Sequence, residues 1–255
     1  MKGNTFLVSK KITTRKLTTA SILIAMSLVL NLLFLFYIPV AGFQAVKITF
    51  STAITMITGI ICGPMVGFIS GSLVDILTCL IKPVGPYFPG FTIAAGLSGL
   101  IPGLFFKYFK SDKLNYNLIN TIFISILSAS CVGGFIFKGL LTIEGNSLYY
   151  NGEPLHIALI IGYIVLTLAY IVFPIIVTKK FHSKYKTNKI LFMVSVSQFI
   201  TSIILNTYFL SIIMGKGFIV FLPARILSNF FLIPIYAIVI STVLETVNKT
   251  FKLKF

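Results

Sequence analysis

The chain has 255 residues, of which 57% are hydrophobic and 10% charged, with 21 Lys or Arg against 5 Asp or Glu. A soluble globular domain has about 25% charged residues, so this composition excludes an ordinary soluble enzyme and a disordered chain. Three cysteines are too few for a disulfide scaffold. The long apolar runs do not alternate as the strands of a membrane barrel would, and they predict an all-α polytopic transmembrane protein.

Eight apolar segments are long enough to cross a bilayer core of about 30 Å. Turn residues separate several of them, as at Gly63-Pro64 and Gly215-Lys216-Gly217. The first segment is too long to be the apolar part of a cleaved signal peptide. We expect spans at residues 17–38, 45–62, 64–82, 91–109, 117–138, 156–178, 190–213 and 223–247.

The basic residues sort by side of the membrane. Sixteen of the 21 fall at the amino terminus, in the loops after the fourth and sixth segments, and in the tail. The positive-inside rule places this side, with both termini, in the cytoplasm. Because the charges form short clusters beside helix ends, they do not indicate nucleic-acid binding. The other side holds the five remaining basic residues, Lys47, Lys82, Lys138, Lys216 and Arg225.

The sequence contains none of the common catalytic motifs. It has no Walker A motif, no His-Glu-x-x-His and no Gly-x-Ser-x-Gly. The histidines, His156 and His182, stand alone, and the cysteines Cys62, Cys79 and Cys131 show no metal-ligand spacing. We therefore expect no enzyme activity, no cofactor and no metal, and any use of ATP requires a partner protein.

Asp75 is the acidic residue that stands out, since the other four lie in loops or near helix ends. It follows Pro64 by 11 residues, which places it about 16 Å into the third segment. An ionisable group at that depth is costly and indicates a functional site. It continues the stripe Gly63, Gly67 and Gly71, and small residues allow close helix packing, so we expect it to point into the bundle. A structural carboxylate bonded to a neighbouring helix is the alternative.

The outer loop between the third and fourth segments is rigid and rich in aromatic residues. Residues 82–92 read KPVGPYFPGFT. Arg225 is predicted in the first turn of the last helix, beside a helix N-terminus, where an anion is favourable. An Arg that reaches for the membrane interface is the alternative for this residue. Together these features predict an outward-facing pocket with aromatic walls, a cationic rim and one deep carboxylate.

Three motifs resemble the folate-specific substrate-binding S component of energy-coupling factor (ECF) transporters. The resemblance covers roughly residues 15–110 and 190–250, and Pro223-x-Arg225-Ile226 is similar as well. The family usually carries Trp where this chain has Phe209. The motifs are Gly63-Pro64-x-x-Gly67-x-x-x-Gly71-x-x-x-Asp75, Tyr87-Phe88-Pro89-Gly90-Phe91-Thr92 and Leu205-Asn206-Thr207-x-x-Leu210-Ser211.

The resemblance implies one transmembrane domain over residues 1–255, built on a six-helix core. The core takes in residues 15–113 and 184–250, and residues 114–183 are expected to be an inserted helical pair. It also implies a bacterial cytoplasmic-membrane protein that captures folate, or a related pterin, outside the cell. A transmembrane T component and two cytoplasmic ATPases would drive uptake. Small residues of the first helix, Ala20, Ser21 and Ala25, would contact the T component.

Folate chemistry assigns a role to each candidate residue. Asp75 would accept hydrogen bonds from the pterin edge, and aromatic rings would stack on the pterin. Arg225, Lys82 or a helix N-terminus would bind the anionic glutamate tail. Asn206 and Thr207 would bond the remaining polar edges. The predicted substrate-binding set is Asp75, Lys82, Tyr87, Phe88, Phe91, Thr92, Asn206, Thr207, Phe209 and Arg225.

Three alternatives remain open from the sequence. An S component for another vitamin or a purine-like compound would have the same scaffold and a different pocket, and Phe209 and the extra helices favour keeping this hypothesis. A stand-alone carrier driven by protons would use Asp75 as its relay, but a relay usually needs more than one titratable core group. A membrane assembly factor without a ligand would need neither the polar outer loop nor a buried Asp.

Overall fold

A computed structural model describes most of the chain. The described residues are 14–40, 43–83, 85, 87–109, 114–137, 141–144, 147–150, 153–154, 157–180, 187–215 and 217–251. Several residues considered above fall outside this set, namely Val84, Pro86, Lys138, His156, His182 and Lys216, together with the side chain of Cys131.

The described residues form a helical protein, as predicted. The helices are α1 (Thr14–Leu33), α2 (Ser51–Cys62), α3 (Pro64–Ile81), α4 (Pro89–Tyr108), α5 (Tyr116–Phe137), α6 (Ile157–Lys180), α7 (Thr187–Gln198), α8 (Thr207–Met214) and α9 (Phe218–Phe251). A π-helical segment, Phe199–Asn206, joins α7 to α8. These three pieces form one continuous helix, Thr187–Met214, so the described residues contain eight helices and the predicted number is confirmed.

The predicted helices over residues 17–38 and 45–62 are wrong at the end of the first and the start of the second, because α1 ends at Leu33 and α2 begins at Ser51. Residues Phe36–Val40 (β1) and Phe43–Ile48 (β2) form an antiparallel hairpin with a register shift at Ile38/Pro39. Aromatic and β-branched residues favour strands, and a proline that cannot donate a hydrogen bond fits at a bulge. A hydropathy window reports apolar content, not this geometry. A second small sheet consists of β3 (Leu141–Glu144), β4 (Ser147–Tyr150) and β5 (Glu153–Pro154).

Helix length separates candidate membrane spans from shorter helices. Five helices among the described residues are long and apolar enough to cross a membrane. They are Lys16–Leu33, Pro64–Ile81, Pro89–Tyr108, Thr187–Met214 and Phe221–Val247. Helix α2 has 12 residues and therefore rises about 18 Å, well short of a bilayer core.

The helical part of the chain divides into two compact units. The first unit takes in the described part of Met1–Lys110 together with Ser197–Ser228, and the second takes in Ser111–Val196 and the described part of Asn229–Lys254. Helix α9 contributes its first residues to one unit and the rest to the other. The predicted inserted pair, residues 114–183, lies within the second unit but is smaller than it.

Glycines bring α2, α3 and α4 of the first unit into backbone contact. A Cβ atom added at Gly67 or Gly71 would overlap the backbone of Gly99 or Ala95, and one added at Gly99 would overlap Gly67. Small residues at helix crossings permit such close packing. Gly63 departs from the predicted stripe, because it has open space around it and a φ of 108°. Its conformation, which favours glycine, makes the break between α2 and α3.

Buried polar contacts attach α1 to α2 and α3 in the same unit. The Ser27 hydroxyl lies 2.7 Å from the Ser51 hydroxyl and 3.3 Å from that of Thr55. Asn31 donates from Nδ2 to Thr78 Oγ1 at 2.8 Å. All five side chains are buried. Because apolar side chains gain little by leaving lipid for the protein interior, such bonds and close packing fix the helices.

The second unit is packed largely through aromatic rings. The Phe192 ring lies 6.2 Å from the ring of Tyr116 and 6.0 Å from that of Phe123. The Phe230 ring lies 5.1 Å from Tyr170 and 5.3 Å from Phe173. Offset and edge-to-face pairs at these separations are favourable.

The last helix starts earlier than predicted. Helix α9 begins at Phe218, not Pro223. Proline is common at a helix start, which motivated the prediction, but transmembrane helices also tolerate proline inside. Arg225 is therefore about 10 Å, or two turns, into the helix, and the predicted position in its first turn is wrong.

Candidate functional site

Asp75 occupies the last third of α3 and faces α4. It is six residues from the helix end at Ile81, or about 9 Å, and its side chain is 18% exposed. Its Oδ2 atom accepts a 2.9 Å hydrogen bond from the hydroxyl of Thr92. Asp75 therefore points into the bundle, as expected, and its bond to α4 is also the contact that the structural alternative predicts. The glycine crossing explains how α4 comes so near.

The start of α4 places two further predicted residues at this carboxylate. Pro89 occupies the first turn of the helix, where its fixed φ and missing N–H fit, and Thr92 follows in that turn. The Tyr87 hydroxyl lies 3.1 Å from Thr92 Oγ1. Thr92 has one hydroxyl proton, which goes to Asp75, so the Tyr87 hydroxyl supplies the proton for the second bond. Tyr87, Thr92 and Asp75 thus form one chain of hydrogen bonds.

Two residues outside the predicted substrate-binding set complete the surroundings of Asp75. Lys47 Nζ lies 3.9 Å from Asp75 Oδ1, and the Lys47 side chain is 34% exposed. Tyr37 pairs directly with Lys47 across the hairpin. Burial, followed by the nearby Asp75 carboxylate, raises the pKa of Tyr37 to about 12. Burial lowers the pKa of Lys47, and Asp75 opposes that shift. In the sequence, Lys47 could be noticed as a lone cation in an apolar run. Only the hairpin in the structure shows that it lies beside Asp75.

Three of the predicted aromatic residues form a cluster. The Phe88 ring lies 5.9 Å from the ring of Phe91 and 5.5 Å from that of Phe209, and Phe91 and Phe209 are 6.3 Å apart. We call these three rings the aromatic cluster. A Cβ atom added at Gly90 would approach the rings of Phe88 and Phe209 within 2.8 Å. Phe209 therefore packs directly over the backbone of the α4 start.

The aromatic cluster continues into an apolar core of the first unit. Leu210 and the fully buried Phe221 form this core, and Phe91 packs against it. Ile48, next to Lys47 in β2, packs against the same core. In both β2 and α4, one residue therefore lies at Asp75 and the residue next to it in the sequence packs against the apolar core.

Thr207 and Arg225 meet at the π-helical segment, whose last residue is Asn206, and not at the expected rim. Arg225 is 5% exposed, and its Nη1 atom donates to the Ser202 carbonyl oxygen at 3.4 Å. Thr207, which is fully buried, donates its hydroxyl to the same oxygen, also at 3.4 Å. The amide oxygen Oδ1 of Asn206 is buried and has no hydrogen-bond partner among the described residues. The expected cationic rim does not include Arg225 in this arrangement.

The remaining predicted residues differ in their exposure. Lys82 caps the end of α3 and is exposed. Ala20 is 3% exposed and so lies inside the protein. Ser21 and Ala25 are exposed on the other face of α1, where Ile22 is 63% exposed. Of the three residues predicted to contact a partner, only these two are available at the surface.

The arrangement at Asp75 can recognise a planar donor edge. A carboxylate has about four acceptor positions, and Thr92 occupies one. The others can accept N–H groups of a heterocycle, and hydrogen bonds to an ionised acceptor are about twice as strong as neutral ones. The neighbouring aromatic cluster offers ring faces and edges for stacking. Among the described residues, no group of three or more His, Cys, Asp and Glu is arranged to hold a metal ion.

Comparison with known proteins gives consistent matches. A sequence model of the family described as "ECF transporter, substrate-specific component" matches residues 15–244. The folate transporter FolT of Streptococcus mutans serotype c (strain ATCC 700610 / UA159) is 31% identical over 58% of this chain and 75% of its own length.

Two further matches extend the comparison. The folate transporter FolT of Clostridium novyi (strain NT) is 32% identical over 34% of this chain, and the match spans 58% of that protein's length. A crystal structure of FolT bound with folic acid matches with a TM-score of 0.52 and 18% identity, covering 89% of this chain and 92% of the other. At that identity the structural match supports the fold.

Proposed function

The chain belongs to the family of ECF transporter substrate-specific components, and from this premise we propose that it binds folate or a closely related pterin. As a member with several apolar helices, it is a multi-pass membrane protein. Two relatives that carry the name folate transporter support this choice of substrate. The substrate would be captured from outside the cell, at a bacterial cytoplasmic membrane in which both termini face the cytoplasm.

The carboxylate of Asp75 is the observation that carries the proposed substrate. It is ionisable, lies in an apolar helix, and is held by Thr92 and faced by Lys47. A pterin offers ring N–H and amino groups along one edge, which match the open acceptor positions of the carboxylate. Its flat ring matches the aromatic cluster, which approaches the same turn of α4.

Uptake requires partner proteins in this proposal. The chain carries no ATP-binding motif, so a T component and two cytoplasmic ATPases would supply the work. Ser21 and Ala25, exposed on α1, are the candidate contacts for the T component. The small side chains would permit close approach of a partner helix.

Ligand identification tests the proposed substrate. The purified protein should retain a pterin that mass spectrometry identifies, and calorimetric titration should show folic acid binding tightly. Riboflavin and hypoxanthine serve as comparison ligands for another vitamin and a purine. Tighter binding of either comparison ligand would assign the chain to a different substrate.

Reconstitution tests the proposed mode of uptake. Vesicles that contain the chain with its T component and ATPases should accumulate folate only when ATP is supplied. Vesicles with the chain alone should not accumulate folate under a proton gradient. Accumulation by the chain alone would support a proton-driven carrier instead.

A further inference from the structure

We propose that Arg225 is a positioning residue which, together with Thr207, holds the π-helical segment Phe199–Asn206 so that Asn206 presents its amide to the substrate. The inference rests on the proposed function, because it assigns these residues a part in capturing the folate-like compound. It also replaces the expectation that Arg225 binds the glutamate tail.

Two side chains converge on one backbone carbonyl of the π-helical segment. Arg225 Nη1 and Thr207 Oγ1 both donate to the Ser202 carbonyl oxygen, each at 3.4 Å. A π-helix widens the turn and is less favourable than an α-helix, which is why π segments are short and concentrate at functional sites. Two side-chain donors on the widened turn stabilise it.

The burial of Arg225 argues against binding of the glutamate tail at the pocket rim. Arg225 is 5% exposed, lies about two turns into α9, and reaches the π-helical segment through its bond to Ser202. A glutamate tail is a flexible dianion that normally stays hydrated, and it would need a cation nearer the surface. A guanidinium that donates to a backbone carbonyl instead fixes the shape of the segment.

Asn206 is the residue through which this positioning reaches the substrate. Its Oδ1 atom is buried without a hydrogen-bond partner among the described residues, as are those of Asn31 and Asn120, and an unsatisfied buried acceptor is costly. Phe209 and Leu210 lie three and four residues further on, on the same face of the helix. Phe209 joins the aromatic cluster and Leu210 packs with Phe91. Asn206 thus faces α4, one turn from the aromatic cluster, and an N–H group of the substrate would satisfy its oxygen.

Paired ligands distinguish positioning from tail binding. Arg225→Gln should weaken folic acid and pteroic acid, which lacks the glutamate tail, by the same factor of about tenfold. Arg225→Lys, which keeps a charged donor, should recover part of the loss. A loss for folic acid at least tenfold larger than for pteroic acid would assign Arg225 to the tail and overturn the proposal.

A double variant tests whether Arg225 acts through Asn206. In an Asn206→Ala background, Arg225→Gln should cause less than about a further twofold loss, because residues that act in one network are not additive. Fully additive losses would show that Arg225 acts on binding independently of Asn206. If Arg225→Gln does not fold, Thr207→Val removes the second donor, and Thr207→Ser is its hydroxyl-keeping control.

Hydrogen exchange tests the same positioning without any ligand. Peptides that cover residues 199–207 should exchange faster in Arg225→Gln than in the parent, while those of α3 and α4 should not change. Ser228→Ala is the control, because Ser228 is buried on the same helix and bonds carbonyls of that helix. Unchanged exchange at residues 199–207 would overturn the proposal. If the parent protein fails to bind folic acid, the proposed function fails while this measurement still decides the inference.

Discussion

The helices within the first compact unit are fixed by a different kind of contact from those within the second. In the first unit, glycines bring helix backbones into contact, and buried hydroxyl and amide groups bond across helices. In the second, rings of Phe192 and Phe230 pack against neighbouring aromatic residues. Its glycines Gly133 and Gly162 have open space where a Cβ atom would be.

This difference indicates where the protein needs precise geometry. In lipid, apolar packing alone specifies helix positions weakly, whereas backbone contact and buried hydrogen bonds specify them closely. The residues proposed to bind substrate all lie in the first unit. The first unit is therefore expected to tolerate little change at its crossings, and the second to tolerate much more.

Glycine substitution should produce the largest contrast between the units. Gly99→Ala places a methyl group against the Gly67 backbone, and overpacking of this kind costs about 1–3 kcal/mol or more. Gly133→Ala, on α5 with open space around it, should leave stability unchanged or raise it by up to about 1 kcal/mol, because alanine favours a helix over glycine. Thermal unfolding in detergent measures both. Equal midpoints for the two variants would show that the glycine crossing does not limit the first unit.

A bulky residue on the exposed face of α1 should break assembly and spare binding. Ser21→Trp or Ala25→Trp blocks close approach of a partner helix, so most T component should be lost in a pull-down. Folate affinity should change by less than about twofold, because both side chains are exposed. Gly162→Trp adds the same ring to an open position on α6 and should assemble normally. Normal assembly of both α1 variants would place the docking surface elsewhere.

Removal of the ion pair at Asp75 should have a smaller effect. Lys47 lies 3.9 Å from Asp75 and is one-third exposed, and exposed pairs contribute about 0.2–1 kcal/mol. A double-mutant cycle of Lys47→Met and Asp75→Asn on unfolding free energy should give coupling in that range. Lys82→Met, at an exposed lysine, is the control. Coupling above about 2 kcal/mol would make the pair a main support of the site.

Deletion of residues 114–183 should change binding least. These residues lie in the second unit, and joining residue 113 to residue 184 would uncover Phe192 and Phe230, whose rings are acceptable in lipid. The shortened chain should insert with both termini on the same side and bind folate within about twofold of the parent. Lost binding in a well-folded deletion would show that the pair helps to build the pocket.

Much of the fold could be predicted because a bilayer imposes helix length and composition. The eight helices of the described residues and the break at Gly63-Pro64 followed from apolar runs and turn residues. The hairpin at Phe36–Ile48 did not, because hydropathy does not separate a short apolar strand from the start of a helix. The π-helical segment gave no signal in the sequence either, since its residues also suit an α-helix.

The candidate site could be predicted in part, where a residue is unusual for its position or belongs to a motif. Asp75 stood out as a lone carboxylate in an apolar helix, and Thr92 and Tyr87 followed from the loop motif. Lys47 could not be matched to Asp75, because their contact depends on the hairpin register. Arg225 was misplaced because the helix starts five residues before Pro223, which moves the side chain from the rim to the interior.

Calorimetric titration of folic acid into the parent and Asp75→Asn proteins tests the proposed role of Asp75 most directly. Asn replaces one carboxylate acceptor with a donor and removes a charge-assisted bond of about 1.5–3 kcal/mol, so affinity should fall at least about tenfold. Glu245→Gln removes a carboxylate that pairs with Lys249 near the end of α9 and should leave affinity unchanged. If folded Asp75→Asn binds folic acid as tightly as the parent, Asp75 is a structural carboxylate and the pterin assignment is wrong.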